Sequence, residues 1–215
     1  FICYFTWSKI KNKYFPKALF VIDLFHVVKL LSTAVNQHRI RTYNQYIPEG
    51  TIEKHFMKSN WKIFLKDQFK INKNYYHSLK YDIYLPYGEI ILKCLKYNPI
   101  FWDAYHILQE LIHYDKYDNY TLANKFILRI IAKLNSSGDE LLEKVANTYS
   151  KWIVGIVNGL AKNQTGKRFS NSIAENNNSH IQKIINVSYG YRNFKRFRAR
   201  VMLISSYKKT RWCPV

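Results

Sequence analysis

Three short stretches of this chain hold residue types that could do chemistry together. The first is Asp23-Leu24-Phe25-His26. An acid three residues before a histidine puts both on one side of a first helical turn. Such a pair could face a ligand, and the other reading is a helix cap beside a packed histidine. The second is Ser170-Asn171-Ser172-Ile173-Ala174-Glu175-Asn176-Asn177-Asn178. Ser172 and Glu175 have the S-x-x-E spacing of a capping box, which would start a helix running to about Asn186. Glu175 is also the one acid in residues 162–215, set among twelve lysines and arginines. The other reading is therefore a metal-binding carboxylate near a helix start, with Asn178 and Ser179 one turn on. The two readings are compatible. Clustered asparagines are poor helix formers but good contacts for phosphates and bases. The third stretch, Ser188 to Arg200, interleaves aromatic and basic residues. Tyr191, Phe194 and Phe197 recur every three residues and give a helix one apolar edge. Arg192, Lys195, Arg196 and Arg200 project from other faces. That is either an amphipathic surface helix or a helix that tracks phosphates.

The elements that must position these residues follow from hydrophobic patterning. Phe1 to Phe5 reads as the tail of a strand. Ser8 to Tyr14 reads as a short helix halted before Pro16. Ala18-Leu19-Phe20-Val21-Ile22 is an unbroken apolar run, the pattern of a strand buried on both faces, and it delivers Asp23 at its carboxyl end, where open α/β sheets place ligands. A helix follows, with Val27, Val28, Leu30, Leu31, Ala34 and Val35 at helical spacing. From Thr51 to Asn135 no strand-like alternation is visible, and helices are predicted between breaks at Pro48, Pro86 and Pro99. One covers Ile100–Tyr114, with Phe101, Tyr105, Leu108 and Ile112 on one face, and another Thr121–Leu134. A turn at Ser136-Ser137-Gly138-Asp139 precedes a helix over Glu140–Ala161, capped by Asp139 or Ser137.

Charge narrows the partner. With 34 Lys+Arg against 14 Asp+Glu the chain carries a formal +20. A compact domain repels itself at that charge, so the excess points to a polyanion, nucleic acid first, with a ribosomal or membrane-surface role as the alternative. At 47% hydrophobic residues the chain can bury a core, which excludes a disordered polypeptide. Cys3, Cys94 and Cys213 form no C-x-x-C pair, so no zinc site or disulfide frame is indicated and a reducing cytoplasm fits. The apolar runs are too short or too charged to span a bilayer, so no membrane partner is expected. The abundance of Lys, Asn, Ile and Tyr has AT-rich codons behind it, as in a low-GC bacterial genome.

Taken in order, these segments resemble the ISL-three family of bacterial insertion-sequence transposases. The likeness rests on Phe15-Pro16-Lys17-Ala18, Val21-Ile22-Asp23-Leu24-Phe25-His26-Val27-Val28-Lys29, Ser170 to Asn178, Ile181-Gln182-Lys183-Ile184, Tyr189-Gly190-Tyr191-Arg192-Asn193-Phe194 and Phe197-Arg198-Ala199-Arg200. Phe101-Trp102-Asp103-Ala104-Tyr105 and Leu108-Gln109-Glu110 fit the family's helical middle. The resemblance implies an α/β fold: an incomplete ribonuclease-H-like sheet interrupted by a large all-helical insertion, predominantly helical overall. Residues 1–40 and 161–215 would form parts of the catalytic core, the latter with a basic carboxyl-terminal helix, and 41–160 the insertion.

The resemblance also implies a chemistry. DDE transposases of mobile elements carry out DNA transposition and recombination. Two Asp and one Glu hold two Mg²⁺, which neutralise carboxylates that would otherwise repel one another. Glu175 matches the catalytic glutamate, and Asp23 and His26 match a D-x-x-H element of the site, so Glu175, Asp23 and His26 are the candidate catalytic residues and Glu175 and Asp23 the candidate metal ligands. Lys183, Arg192, Lys195, Arg196, Arg198 and Arg200 are the candidate DNA-binding residues. DNA ends and target are the implied partners, bound by multimers on paired ends in a bacterial cytoplasm at the nucleoid. Relatives carry an acid shortly before the Phe-Pro pair, near Ile2 to Phe5 here, and this stretch has none. The first catalytic aspartates and the family's zinc-binding and helix-turn-helix regions are thus expected to be missing, as in a truncated or degenerate copy. The alternative is a non-enzymatic basic nucleic-acid-binding protein. One glutamate and a neighbouring aspartate cannot hold two Mg²⁺, so these 215 residues alone are expected to show no strand transfer. Mg²⁺-dependent nicking abolished by Glu175→Gln would contradict that expectation.

Overall fold

A computed structural model describes residues 13–71, 74–114, 119–162, 172–188 and 190–210, with backbone only at 172–174 and 205–210. The expected strand at Phe1–Phe5, most of the Ser8–Tyr14 helix, Cys3, Cys213 and the Ser172 side chain of the capping box lie outside the described residues. The chain forms two compact units, Phe1–Phe169 and Ser170–Val215. The first runs α1 (Leu24–Gln45), α2 (Ile52–Ser59), a 3-10 segment (Trp61–Leu65), α3 (Gln68–Ile71), β1 (Tyr75–Ser78), β2 (Ile83–Pro86), α4 (Tyr87–Leu95), α5 (Pro99–Ile112), α6 (Tyr120–Asn135), α7 (Glu140–Lys151) and α8 (Ile153–Leu160). The second holds α9 (Ser172–Val187) and α10 (Phe194–Thr210). Helix dominates the described residues, with one small two-stranded sheet.

Local chemistry sets the helix starts. The side chains of Asp23, Asn98, Asn119 and Asp139 accept backbone N–H groups at the amino ends of α1, α5, α6 and α7. Each cap of this kind is worth about 1 kcal/mol. Pro99, expected as a break, is instead the first residue of α5, where its missing N–H costs nothing. The core follows the helical spacing: Val27, Leu31, Ala34 and Val35 of α1 are buried with Phe101, Ala104, Leu108 and Leu111 of α5. α1 packs along α5 and also meets α2, α7 and α8.

Buried polar groups fix the register of α1. His38 Nε2 donates to Asp139 Oδ1 at 3.0 Å, and the same oxygen accepts Leu141 and Leu142 N–H. Arg41 lies 3.6 Å from the other carboxylate oxygen. Asn98 Nδ2 donates to Thr42 Oγ1 at 3.0 Å, and Thr42 Oγ1 donates to the His38 carbonyl. One buried array thus couples the starts of α5 and α7 to the side of α1.

Three expectations are corrected. First, the segment expected to be wholly helical contains an antiparallel hairpin that pairs Tyr75 with Pro86 and Ser78 with Ile83. Its buried residues, Tyr76 and Ser78, differ little in polarity from exposed Tyr75 and His77, so burial alternates where hydropathy does not. Second, the helix expected over Glu140–Ala161 is two helices, broken at Trp152 (φ −114°, ψ 18°). Third, Ala18–Ile22 is not a strand of any sheet among the described residues.

The third correction has a clear physical cause. Residues 19–22 belong to no helix or strand, and α8 takes the place of a neighbouring strand. Ile22 N–H donates to the Gly155 carbonyl at 2.8 Å, and Asn158 Nδ2 donates to the Phe20 carbonyl at 2.9 Å. Backbone groups that a ladder would satisfy are satisfied by a helix. So close an approach needs Gly155 and Gly159. A Cβ at Gly155 would fall 2.7 Å from the Phe20 ring, and one at Gly159 would fall 2.0 Å from the Ile22 carbonyl oxygen. The apolar run correctly reports burial, with Ile22 only 3% exposed, but burial alone does not specify a strand partner.

Two measurements check this architecture. Gly159→Ala should destabilise the chain by about 1–3 kcal/mol, as overpacking does, and lower the thermal midpoint by about 2–4 °C per kcal/mol in a chain of this size. An unchanged midpoint would mean that Phe20–Ile22 does not rest on α8. Burial lowers the His38 pKa below 6.5, against the opposing pull of Asp139 and with help from Arg41. The unfolded chain therefore binds the proton more readily, and the stability that neutral His38 contributes is present above about pH 6.5 and is lost as pH falls through the depressed value. The thermal midpoint should fall between pH 7.5 and 5, and fall less in His38→Gln, which keeps a donor without the titration. Equal slopes would contradict the assignment.

Candidate functional site

Asp23 and His26 sit where the seated segment turns into α1. Asp23 holds extended backbone (φ −63°, ψ 137°), and its carboxylate accepts Phe25 N–H at 2.9 Å. The capping half of the two open readings is thus observed. A carboxylate that caps a helix through one oxygen still has lone pairs for other donors. His26 is half-buried and lines a small, mostly apolar pocket with Ile22, Val27, Thr148, Tyr149, Trp152 and Ile156. The buried Tyr149 hydroxyl donates to the Val27 carbonyl at 2.7 Å and pins the first turn that carries both residues. Phe25, one residue from His26 and two from Asp23, is exposed, and Lys29 Nζ lies 5.7 Å from its ring centre.

The second unit presents Glu175 in the first turn of α9, exposed and in no ion pair among the described residues. An acid is favoured there by the helix dipole. Asn178, Ser179, Gln182 and Asn186 follow at helical spacing on the same exposed face, with Gln182 donating to Asn186 at 3.0 Å. Ile181, Ile184 and Ile185 lie on the other, half-buried side. Glu175 therefore heads a polar stripe, with exposed Lys183 beside it.

A tight turn then leads into the basic helix. Gly190, at φ +96°, takes the left-handed conformation that glycine supplies, and its N–H donates to the Ile185 carbonyl at 3.1 Å. Tyr191 and Ser188 share a hydroxyl hydrogen bond of 2.7 Å. The Asn193 side chain accepts Arg196 N–H at 3.2 Å and caps α10. The expected aromatic cluster forms, with Phe197 5.2 Å from Tyr191 and 6.2 Å from Phe194, but Tyr191 joins it from the turn because α10 begins at Phe194. Arg192, Lys195, Arg196, Arg198 and Arg200 are all exposed, and none is in an ion pair among the described residues. Exposed guanidinium groups without internal partners are suited to bidentate contacts with phosphate.

Carboxylates are the right donors for Mg²⁺. Among the described residues, however, no three His, Cys, Asp or Glu side chains gather as a metal cluster. Asp23 and Glu175 belong to different units. Cys94 is buried and free, and burial pushes its thiol well above the usual range, so it offers no reactive thiolate.

Sequence reasoning passed over the residues that hold Asp23 and His26 in place: Tyr149, Trp152, Gly155, Asn158 and Gly159. The two glycines carried a readable signal. A G-x-x-x-G spacing inside an apolar helix marks a surface that a backbone can approach. The buried hydroxyl of Tyr149 carried none.

No helix among the described residues is long and apolar enough to cross a membrane. No curated protein and no solved structure is significantly similar to the chain. A family model described as Transposase, that of the ISL-three DDE group, matches residues 5–201 and so takes in both the Asp23–His26 element and the stretch from Glu175 to Arg200. This protein belongs to the ISL-three family of DDE transposases.

Proposed function

We propose that the chain carries carboxylate-bearing and DNA-gripping parts of a transposase catalytic core. Residues 1–40 and 161–215 contribute to a ribonuclease-H-like core, and 41–160 form the insertion. The carrying observation is Glu175, an exposed acid on a polar helix face, without an ion-pair partner among the described residues, in the most basic quarter of the chain. An acid kept only for surface charge balance would be expected to pair with one of its many cationic neighbours.

In this reading Glu175 and Asp23 are the residues that would hold Mg²⁺, and His26 lines the site beside Asp23. In a complete site the metal would supply activation of a water or a DNA 3′-hydroxyl and stabilisation of the departing oxygen. Asp23 is held by its cap and by the α8 seat, which fixes its carboxylate without a loop rearrangement. Lys183, Arg192, Lys195, Arg196, Arg198 and Arg200 track the phosphates, and the asparagine-rich face of α9 contacts the backbone or bases beside Glu175. Intact family members work on paired element ends as multimers in the bacterial cytoplasm, and this chain retains the DNA-gripping part of that machinery without strand transfer of its own. A non-enzymatic DNA-binding role is the competing reading, and one observation favours it: no three acids gather among the described residues.

Salt and metal titrations separate the two. Replacing Arg192, Lys195, Arg196 and Arg200 together with Ala should flatten the salt dependence of DNA binding by about one unit of log–log slope for each phosphate that is no longer neutralised. An unchanged slope would mean that other side chains neutralise the phosphates. Calorimetric Mg²⁺ binding should disappear in Glu175→Gln and persist in Glu143→Gln. Binding that is absent from both variants and from the parent chain would favour the non-enzymatic role.

A further inference from the structure

The hairpin carries an exposed aromatic face that the core does not use. Tyr75 and Tyr84 stack in parallel, with ring centres 4.8 Å apart and planes 5° from parallel. They are 51% and 66% exposed, so both rings keep most of their outer surface in water. His77, directly across from Tyr84 in the register, lies edge-on to it at 6.0 Å. The opposite face does the structural work: Tyr76 is buried, 4.9 Å from Phe56. A stacked pair is worth something to a hairpin on its own account, but that does not require two large rings to face solvent.

The sequence around the hairpin is cationic. Between Trp61 and Pro86 the chain has five lysines, at 62, 66, 70, 73 and 80, and two acids, Asp67 and Asp82. Asp67 is held by His113 at 2.6 Å, accepts Phe69 N–H at 2.9 Å and pairs with Lys70 at 3.9 Å, so it offsets one of these lysines and leaves the excess in place. Lys62 and Lys80 lie 5.6 and 5.2 Å from the ring centres of Trp61 and Tyr81. Flat π-faces interspersed with ammonium groups match a polyanion whose bases are unstacked. A paired duplex offers phosphates but hides its base faces, whereas an unpaired strand offers both.

We propose that the outer face of this hairpin, Tyr75 and Tyr84 with His77, is a stacking platform for nucleobases of unpaired DNA. The inference rests on the reading of the protein as DNA-binding but uses residues of the hairpin, not those of the basic helix α10. Stacking on a ring is tolerant of base identity, so the platform takes a single strand with little sequence preference.

The experiment measures binding of the 215-residue chain to a fluorescent single-stranded oligonucleotide and to the matching duplex. In the parent chain, a photoreactive 5-bromouracil strand should crosslink to Tyr75 or Tyr84. The double variant Tyr75→Thr with Tyr84→Thr, chosen to keep strand propensity, should bind the single strand at least about fivefold more weakly, the lower end expected for losing one base–aromatic stack. Its duplex affinity should stay within about twofold of the parent, because a paired duplex hides the base faces that the rings would stack on. Tyr75→Phe with Tyr84→Phe should bind both as the parent does. Crosslinks confined to other residues, or a threonine variant with unchanged single-strand affinity, would overturn the proposal. Removing the α10 cations without weakening duplex binding, while the Tyr75 and Tyr84 crosslinks persist, would count against the basic-helix reading only.

Discussion

The described fold of the first unit depends on one close approach, the backbone of Phe20–Ile22 resting on the glycine side of α8. Asp23 and His26 lie just beyond it. The carbonyl of Phe20 and the N–H of Ile22 are satisfied by Asn158 and Gly155. The chain therefore arrives at Asp23 with little freedom to rotate, and Asp23 closes the amino end of α1. Tyr149 grips the first turn from the α7 side. The break at Trp152 lets α7 supply that hydroxyl while α8 supplies the glycine surface. Two helices and the segment before α1 thus hold an acid and a histidine at a helix start, and the hydrophobic core of α1, α5, α6 and α7 supports them from behind.

Charge is handled differently in the two units. Thirteen of the fourteen acids precede residue 162. Several of them are used structurally: Asp139 caps α7 and binds His38, Asp67 binds His113, and Glu110 meets Arg129 and Lys133. In the second unit the cations of α10 are exposed, and Glu175 is in no ion pair among the described residues. Like charges held close together on a helix cost stability in the absence of a counter-charge, which a DNA backbone supplies in the proposed reading. In that reading the same imbalance makes affinity for DNA strongly dependent on salt.

Much of the helical framework was legible in the sequence. The apolar spacing of Val27, Leu31, Ala34 and Val35, the aspartate caps and the Gly138 turn are local signals, and local physics decides them. The seat of Asp23 was not legible as a seat, because an apolar run such as Ala18–Ile22 says that a segment is covered but not by what. The hairpin was hidden for the converse reason: Tyr75, Tyr76, His77 and Ser78 alternate in burial without alternating in hydropathy. Of the candidate site, the types and order of residues were visible, and so was the aromatic edge around Phe197. The hydroxyl of Tyr149 and the His38–Asp139 array depend on contacts across 122 and 101 residues of sequence, which no local pattern encodes.

The central proposal is that Glu175 holds a divalent cation. Iron-directed cleavage tests it most directly. With Fe²⁺ in place of Mg²⁺, and with peroxide and ascorbate, hydroxyl radicals generated at the bound ion cut the polypeptide near its ligands. Cuts clustered around Glu175, suppressed by excess Mg²⁺ and lost in Glu175→Gln, are the predicted result. Cuts that spare Glu175, or a pattern indifferent to Mg²⁺, would contradict it.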